Sequence, residues 1–177
     1  QVSEGAVLRQ AGVSQDILVL GGVPEHLLAP AAELDLTLTV WRLGLLPRLA
    51  ELGRAQGRPV KLQVKIETGL HRIGLMPGEE LSALLEEWRA AAPWVTVTGA
   101  FTHFADLEDA PRTQEQVRRY LDGVAQLEAR GMKIPFRHVS ASAASEYARQ
   151  YRLDGVRVGR RLYMDHSTRP LGTIGEV

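Results

Sequence analysis

Short apolar runs alternate along the chain with longer stretches whose apolar residues recur every three or four positions. Six runs read as strands: residues 17–20 (ILVL), 34–40 (LDLTLTV), 60–66 (VKLQVKI), 95–104 (VTVTGAFTHF), 136–142 (FRHVSAS) and 156–164 (VRVGRRLYM). They are rich in Val, Thr and Phe and bounded by Gly and Pro, as buried strands are. Gly21 and Gly22 follow the first, and Gly159 is placed to end the last strand proper. Between them, Leu81, Leu84, Leu85 and Trp88 give residues 79–91 one apolar helical face. Val117, Tyr120, Leu121 and Val124 repeat that spacing in 113–130, with Gly131 as a natural carboxyl-terminal cap. Leu45, Leu46, Leu49 and Leu52 mark a third helix; 24–28 and 142–149 suggest shorter ones.

Strands alternating with helices imply βα units and a parallel sheet. Six units in 177 residues average about 30 each, the size of a (β/α)8 repeat, of which a full set needs about 250. The pattern suits either six of the eight units of a TIM barrel or a smaller doubly wound sheet. No Gly-x-Gly-x-x-Gly follows the first strand and no P-loop motif occurs, which favours the α/β barrel.

Composition narrows the chemistry. The 21 basic and 21 acidic residues cancel, which argues against a nucleic-acid groove. No apolar run approaches the roughly 20 residues of a membrane helix. The absence of cysteine excludes disulfides, iron–sulfur clusters, thiolate zinc sites and a cysteine nucleophile, and no metal site is expected. Only Lys61, Lys65 and Lys133 are lysines, so any amine chemistry must use one of three. The first residues lack the basic and apolar regions of a secretory signal, which points to the cytoplasm. The start at Gln1 suggests part of a longer product.

In a (β/α)8 barrel, chemistry sits at the carboxyl ends of the strands. Four clusters fall there. In the stretch from Lys65 to Gly74, Lys61, Gln63 and Lys65 share one strand face. An inward lysine is expensive unless paired or chemically altered. Arg72 offers a planar fork for an oxyanion, and the plainer alternative is a Lys65–Glu67 pair with a solvated Arg72. His103 follows an apolar run and so lies near the barrel mouth. His138 to Ala144 ends a strand and opens a small-residue helix, which is either an anion site or an ordinary serine cap. Arg157 alternates with apolar neighbours and should point inward, and Gly159 permits close backbone approach. Barrel phosphate sites often use the loops after the last strands, so a phosphorylated cofactor or substrate is suggested.

These residues resemble the barrel domain of the alanine racemase family, the fold-type III pyridoxal-phosphate enzymes. Lys65-x-Glu67-Thr68-Gly69-Leu70-His71-Arg72-Ile73-Gly74 is similar to the family's lysine–acidic–threonine–glycine motif. Thr102-His103-Phe104-Ala105, His138-x-Ser140-Ala141-Ser142-Ala143-Ala144 and Val156-Arg157-Val158-Gly159-Arg160-Arg161-Leu162-Tyr163 follow in the family's order. The resemblance implies pyridoxal 5'-phosphate, proton exchange at Cα between L- and D-alanine, a homodimer, no nucleic-acid or membrane partner, and a place in supplying D-alanine for cell walls. It implies that Arg72 holds the cofactor's phenolic oxygen and the substrate carboxylate, and that Lys65 is carbamylated and orients Arg72. It implies that Arg157 donates to the pyridine nitrogen, with His103 near the ring supporting it. Ser142 and the backbone at Gly159 and Arg160 would cradle the phosphate.

Residues 1–164 then form a partial barrel, and 165–177 start a linker toward a carboxy-terminal β-domain. The family's Schiff-base lysine motif, at the end of the first barrel strand, does not occur here, nor does the domain that carries its catalytic tyrosine. The chain is expected to begin after the second strand. Ala141 stands where the family has Asn, Arg160 where isoleucine is usual, and residues 165–170 depart from the usual continuation. The alternative is a non-catalytic barrel that binds the cofactor or another phosphate, or a scaffold completed by a partner chain.

Overall fold

A computed structural model describes residues 1–106, 109–139 and 151–159. Among these residues five strands, β1 (Leu18–Val19), β2 (Thr37–Val40), β3 (Val60–Lys65), β4 (Val95–Phe101) and β5 (Arg137–His138), form one parallel sheet in sequence order. Five α-helices alternate with them: α1 (Val2–Gln10), α2 (Leu28–Glu33), α3 (Leu45–Gln56), α4 (Glu79–Ala91) and α5 (Ala110–Glu128). Consecutive parallel neighbours joined by helices are the winding of a (β/α) barrel. The curled sheet is a partial TIM barrel, in the α/β class.

One face of the sheet is apolar and packs on the helices. Leu38 and Val40 of β2, Leu62 and Val64 of β3, and Val95 of β4 join Leu46, Leu49, Leu81, Leu84, Leu85 and Tyr120 in a single core. The helical stripes read from the sequence are the faces that make this contact. Gly53 lets α3 approach closely, since a Cβ there would lie 2.3 Å from the Trp94 carbonyl oxygen. Between β3 and β4 the register slips at Leu62/Gln63, a bulge that leaves Thr98 as the extra residue.

Several elements differ from the sequence expectation. β2 begins at Thr37 rather than residue 34, because α2 runs to Glu33 and Asp35 turns the chain at φ 52°. That turn is held by Arg9 on the Asp35 carbonyl and by Arg58 and Lys61 on its carboxylate. β4 stops at Phe101, and residues 102–104 are loop. The sixth expected strand, 156–164, is described only to Gly159, and residues 156–158 are not strand. This segment is tied to β5 instead by Asp154, which accepts from the Arg137 amide at 2.8 Å and donates its own to the Arg137 carbonyl at 3.1 Å. The helix expected at 142–149 and the 164/165 boundary lie outside the described residues. α1 was not foreseen, having no apolar stripe. Among the described residues no helix is long and apolar enough to cross a membrane.

Candidate active site

The inward face carries the polar residues. β3 presents Lys61, Gln63 and Lys65 along one line, as strand alternation requires. Lys61, at the amino-terminal end, is neutralised by Asp16 and Asp35, each at 2.9 Å. Lys65, at the carboxyl end, is 2% exposed and has no carboxylate partner among the described residues. The Phe101 ring centroid lies 5.4 Å from its Nζ. Burial, with Arg72 and Arg157 nearby, lowers the Lys65 pKa to about 8, against an opposing pull from Glu67.

Glu67 does not pair with Lys65 because its carboxylate turns back on its own loop. It accepts the backbone N–H of Gly69 and, at 2.8 Å, that of Leu70. Burial pushes the Glu67 carboxyl up, but the backbone N–H groups of Gly69, His71 and Leu70, together with the Lys65 charge, hold it below the usual carboxylate range. The loop they close then crosses under itself at Gly74, with φ 134°, where a Cβ would meet the Glu67 amide at 2.9 Å. The turn delivers the exposed Arg72 to the mouth of the barrel.

Arg157 is the hub. Its Nη1 donates to His138 Nδ1 at 2.7 Å and to the His138 carbonyl at 3.0 Å. Its Nη2 donates to the carbonyls of Thr102 (2.7 Å) and Val139 (3.2 Å) and approaches His103 Nδ1 at 3.3 Å. The carbonyls just past the ends of β4 and β5 thus serve a guanidinium rather than a neighbouring strand. The early end of β4 has its cause here. Among the described residues Arg157 Nε–H has no partner. Burial lowers the Arg157 pKa to about 10, which leaves it cationic at neutral pH. Burial and that cation push His103 down to about 4 and His138 to about 3, so both rings are neutral.

A second set of bonds fixes the loops. Gln116 of α5 is 1% exposed. Its amide oxygen accepts the Ala105 N–H at 2.9 Å, and its nitrogen donates to Thr68 Oγ1 at 3.1 Å and the His103 carbonyl at 3.3 Å. The Thr68 and Thr102 hydroxyls meet at 2.8 Å.

Together Leu20, Lys65, Arg72, Phe101, His103 and Arg157, with Val158 and Gly159, line a cavity of about 290 Å³ at the carboxyl ends of the strands. Among the described residues three cations and no carboxylate line it. The structure therefore brings together Lys65, Arg72, His103, Arg157 and Gly159, all singled out from the sequence. Ser142 and Arg160 lie outside the described residues. Sequence reasoning placed Gln63 on the inward strand face without a role, missed Gln116, and gave His138 no role of its own. Gln63 was legible as an inward position, whereas Gln116 resembles any polar residue on a surface helix. Among the described residues no group of three His, Asp or Glu side chains could hold a metal ion.

A partial (β/α) barrel with a cationic mouth at the carboxyl ends of its strands defines the class. Comparison with known proteins narrows it. The family model for the N-terminal domain of alanine racemase matches residues 1–167, and the chain belongs to this family. An alanine racemase of Desulforamulus reducens is 36% identical over 166 residues, covering 92% of this chain and 44% of that protein. Alanine racemase 1 of Oceanobacillus iheyensis is 33% identical over 165 residues, covering 92% and 43%. Among solved structures, alanine racemase of Clostridium difficile 630 in complex with cycloserine superposes with a TM-score of 0.85 at 32% identity, over 94% of this chain and 46% of that one. The chain spans less than half the length of these relatives.

Proposed function

We propose that this chain is the cofactor-binding barrel of a pyridoxal 5'-phosphate-dependent alanine racemase that interconverts L- and D-alanine. The observation that carries the reading is Arg157, held by strand-end carbonyls and two neutral histidines beside a cavity that Lys65 and Arg72 also line. Such a cavity suits a planar anion, and the cofactor fits it in charge and class. When bound, the cofactor supplies delocalisation of the charge that builds at Cα as its proton leaves.

The chain's own residues divide the remaining work. Arg157 would donate to the pyridine nitrogen. A neighbour that stays cationic would keep that nitrogen unprotonated and so limit the delocalisation, which would favour simple return of the proton. His103 accepts from the same guanidinium and keeps it in place. Gly159, with Ser142 and Arg160, holds the phosphate. Arg72, exposed at the mouth, binds the substrate carboxylate and the phenolic oxygen. Lys65 has the chemistry for carbamylation. With its pKa near 8, the neutral amine is populated near neutral pH. Its nitrogen bonds to the carbon of CO2 and releases one proton to water, leaving an anion that orients Arg72. Inversion removes a proton on one face of Cα and returns it on the other, so two bases are needed. In this reading they are a lysine and a tyrosine of the longer protein, the tyrosine coming from a second copy in a homodimer. A non-catalytic barrel or scaffold is not favoured, since the relatives compared are alanine racemases by name.

The test is circular dichroism of L- or D-alanine with the full-length protein and pyridoxal 5'-phosphate. Both enantiomers should drift to a racemate, and Arg157→Ala and Arg72→Ala should each lower turnover by about 100-fold or more. Near-normal turnover in both variants would overturn the reading.

A further inference from the structure

Gln63 lies behind the cavity, 8% exposed, with one hydrogen-bond partner among the described residues, the His138 ring. The directions of the bonds around that ring fix one another. A guanidinium has donors and no acceptor. Arg157 Nη1 sits 2.7 Å from His138 Nδ1, so Nδ1 must accept. The ring's proton is then on Nε2. That nitrogen lies 2.7 Å from the Gln63 side chain, so Gln63 must present its oxygen. Any other arrangement fails: a cationic ring, or a ring with its proton on Nδ1, sets two donors against each other at the arginine. His138 is 3% exposed, which denies it bulk water as a substitute acceptor. Phe101 stacks on it at 5.0 Å and Phe136 lies tilted at 5.3 Å, so the ring is restrained on its faces as well as at its nitrogens.

We propose that Gln63 is a positioning residue of this site: its side-chain oxygen holds His138 as the neutral Nε2–H tautomer and thereby holds the Arg157 guanidinium in its orientation at the cavity. The residue type matters. A carboxylate at this distance would draw a second proton onto the ring and turn Nδ1 into a donor facing Arg157. An amide accepts the proton without adding charge. Its neighbours on the same strand face, Lys61 and Lys65, offer only donors. The step from orientation to turnover rests on the racemase reading, whereas the tautomer does not.

The experiment is nitrogen NMR of the full-length protein with histidine ring labels, together with alanine turnover. Wild-type His138 should show a protonated Nε2 and an unprotonated Nδ1, unchanged from pH 6 to 8. In Gln63→Glu the ring should become cationic in that range, with turnover down about tenfold or more and KM for alanine within about twofold, the pattern of a lost positioning contact. In Gln63→Leu the Nε2–H signal should broaden through faster exchange. Thr98→Val, which loses only a bond to the Leu62 carbonyl on the same sheet, should leave the His138 signals unchanged. A wild-type ring protonated on Nδ1, or a neutral ring with unaltered turnover in Gln63→Glu, would overturn the proposal. If the wild type racemises neither enantiomer, the racemase reading fails while the ring spectra still decide the tautomer.

Discussion

A lysine 2% exposed, with an aromatic ring 5.4 Å from its nitrogen and two arginines in range, is held against its own charge. Its folded pKa of about 8 lies below the 10.5 of an ordinary lysine. Between those values the unfolded chain binds more protons than the folded one, so this group makes stability rise with pH there, and its full penalty is present below about pH 8. Each pKa unit carries about 1.4 kcal/mol, which bounds the penalty near 3–4 kcal/mol. Lys65→Met in CO2-free buffer at pH 7 should therefore raise the urea midpoint while lowering racemisation, and an unchanged or lower midpoint would contradict this account. The histidines respond in the opposite pH region. His103 and His138, held near 4 and 3 against 6.5, contribute stability that is complete above pH 6.5 and lost as pH falls toward their folded values. Replacing His138 with Gln should flatten the fall in the urea midpoint between pH 6.5 and 4. Strand alternation made the inward lysines visible in the sequence, because the period is local. The Arg157–His138 contact was not visible, because it depends on how the segment carrying Arg157 returns against the end of β5, 19 residues earlier.

Helix α5 shows how an element can present a stable outer face and serve a site with one residue. Its outward side is a run of exposed ion pairs, Glu115 with Arg118 and Arg119 and Arg118 with Asp122, each worth little when solvated. Its inner face buries Tyr120, Val124 and Leu127. Gln116 stands near its amino-terminal end and bonds the loops after β3 and β4. Gln116→Leu would leave the Ala105 amide and the Thr68 hydroxyl without that partner, at about 1–3 kcal/mol for each buried group left unpaired. A loss of at least about 1 kcal/mol in urea unfolding, with a weaker fit of the His103 loop seen as reduced turnover, is the expected outcome. Full stability would mean that water replaces the amide. The helices with strong apolar stripes, α3 to α5, were legible from spacing alone. α1 was not, since Val2 and Gly5 are its only buried residues. The start of β2 was misplaced because the Asp35 turn is enforced by Arg9, Arg58 and Lys61, which come from three distant parts of the chain.

At the scale of the whole molecule, the sheet is curled but open among the described residues. Among these residues β1 pairs only with β2, and none of them pairs with its other edge. Beside that opening Leu20, Phe136 and Val156 are 47%, 40% and 40% exposed. They line, with Leu18, Thr37, Gln63 and His138, a hollow of about 520 Å³ on the inward face. An unpaired edge next to exposed apolar side chains is a template for pairing with another strand. Zero formal net charge adds no repulsion to oppose it. Residues 1–177 expressed alone should therefore self-associate, with a weight-average mass in sedimentation that climbs with concentration above 19.5 kDa. A charged residue on the free edge, Leu18→Lys, should reduce that association without unfolding the helices, because it acts on the edge rather than on the core between sheet and helices. A wild-type segment that stays monomeric at all concentrations would show that the edge is already covered by residues of the same chain.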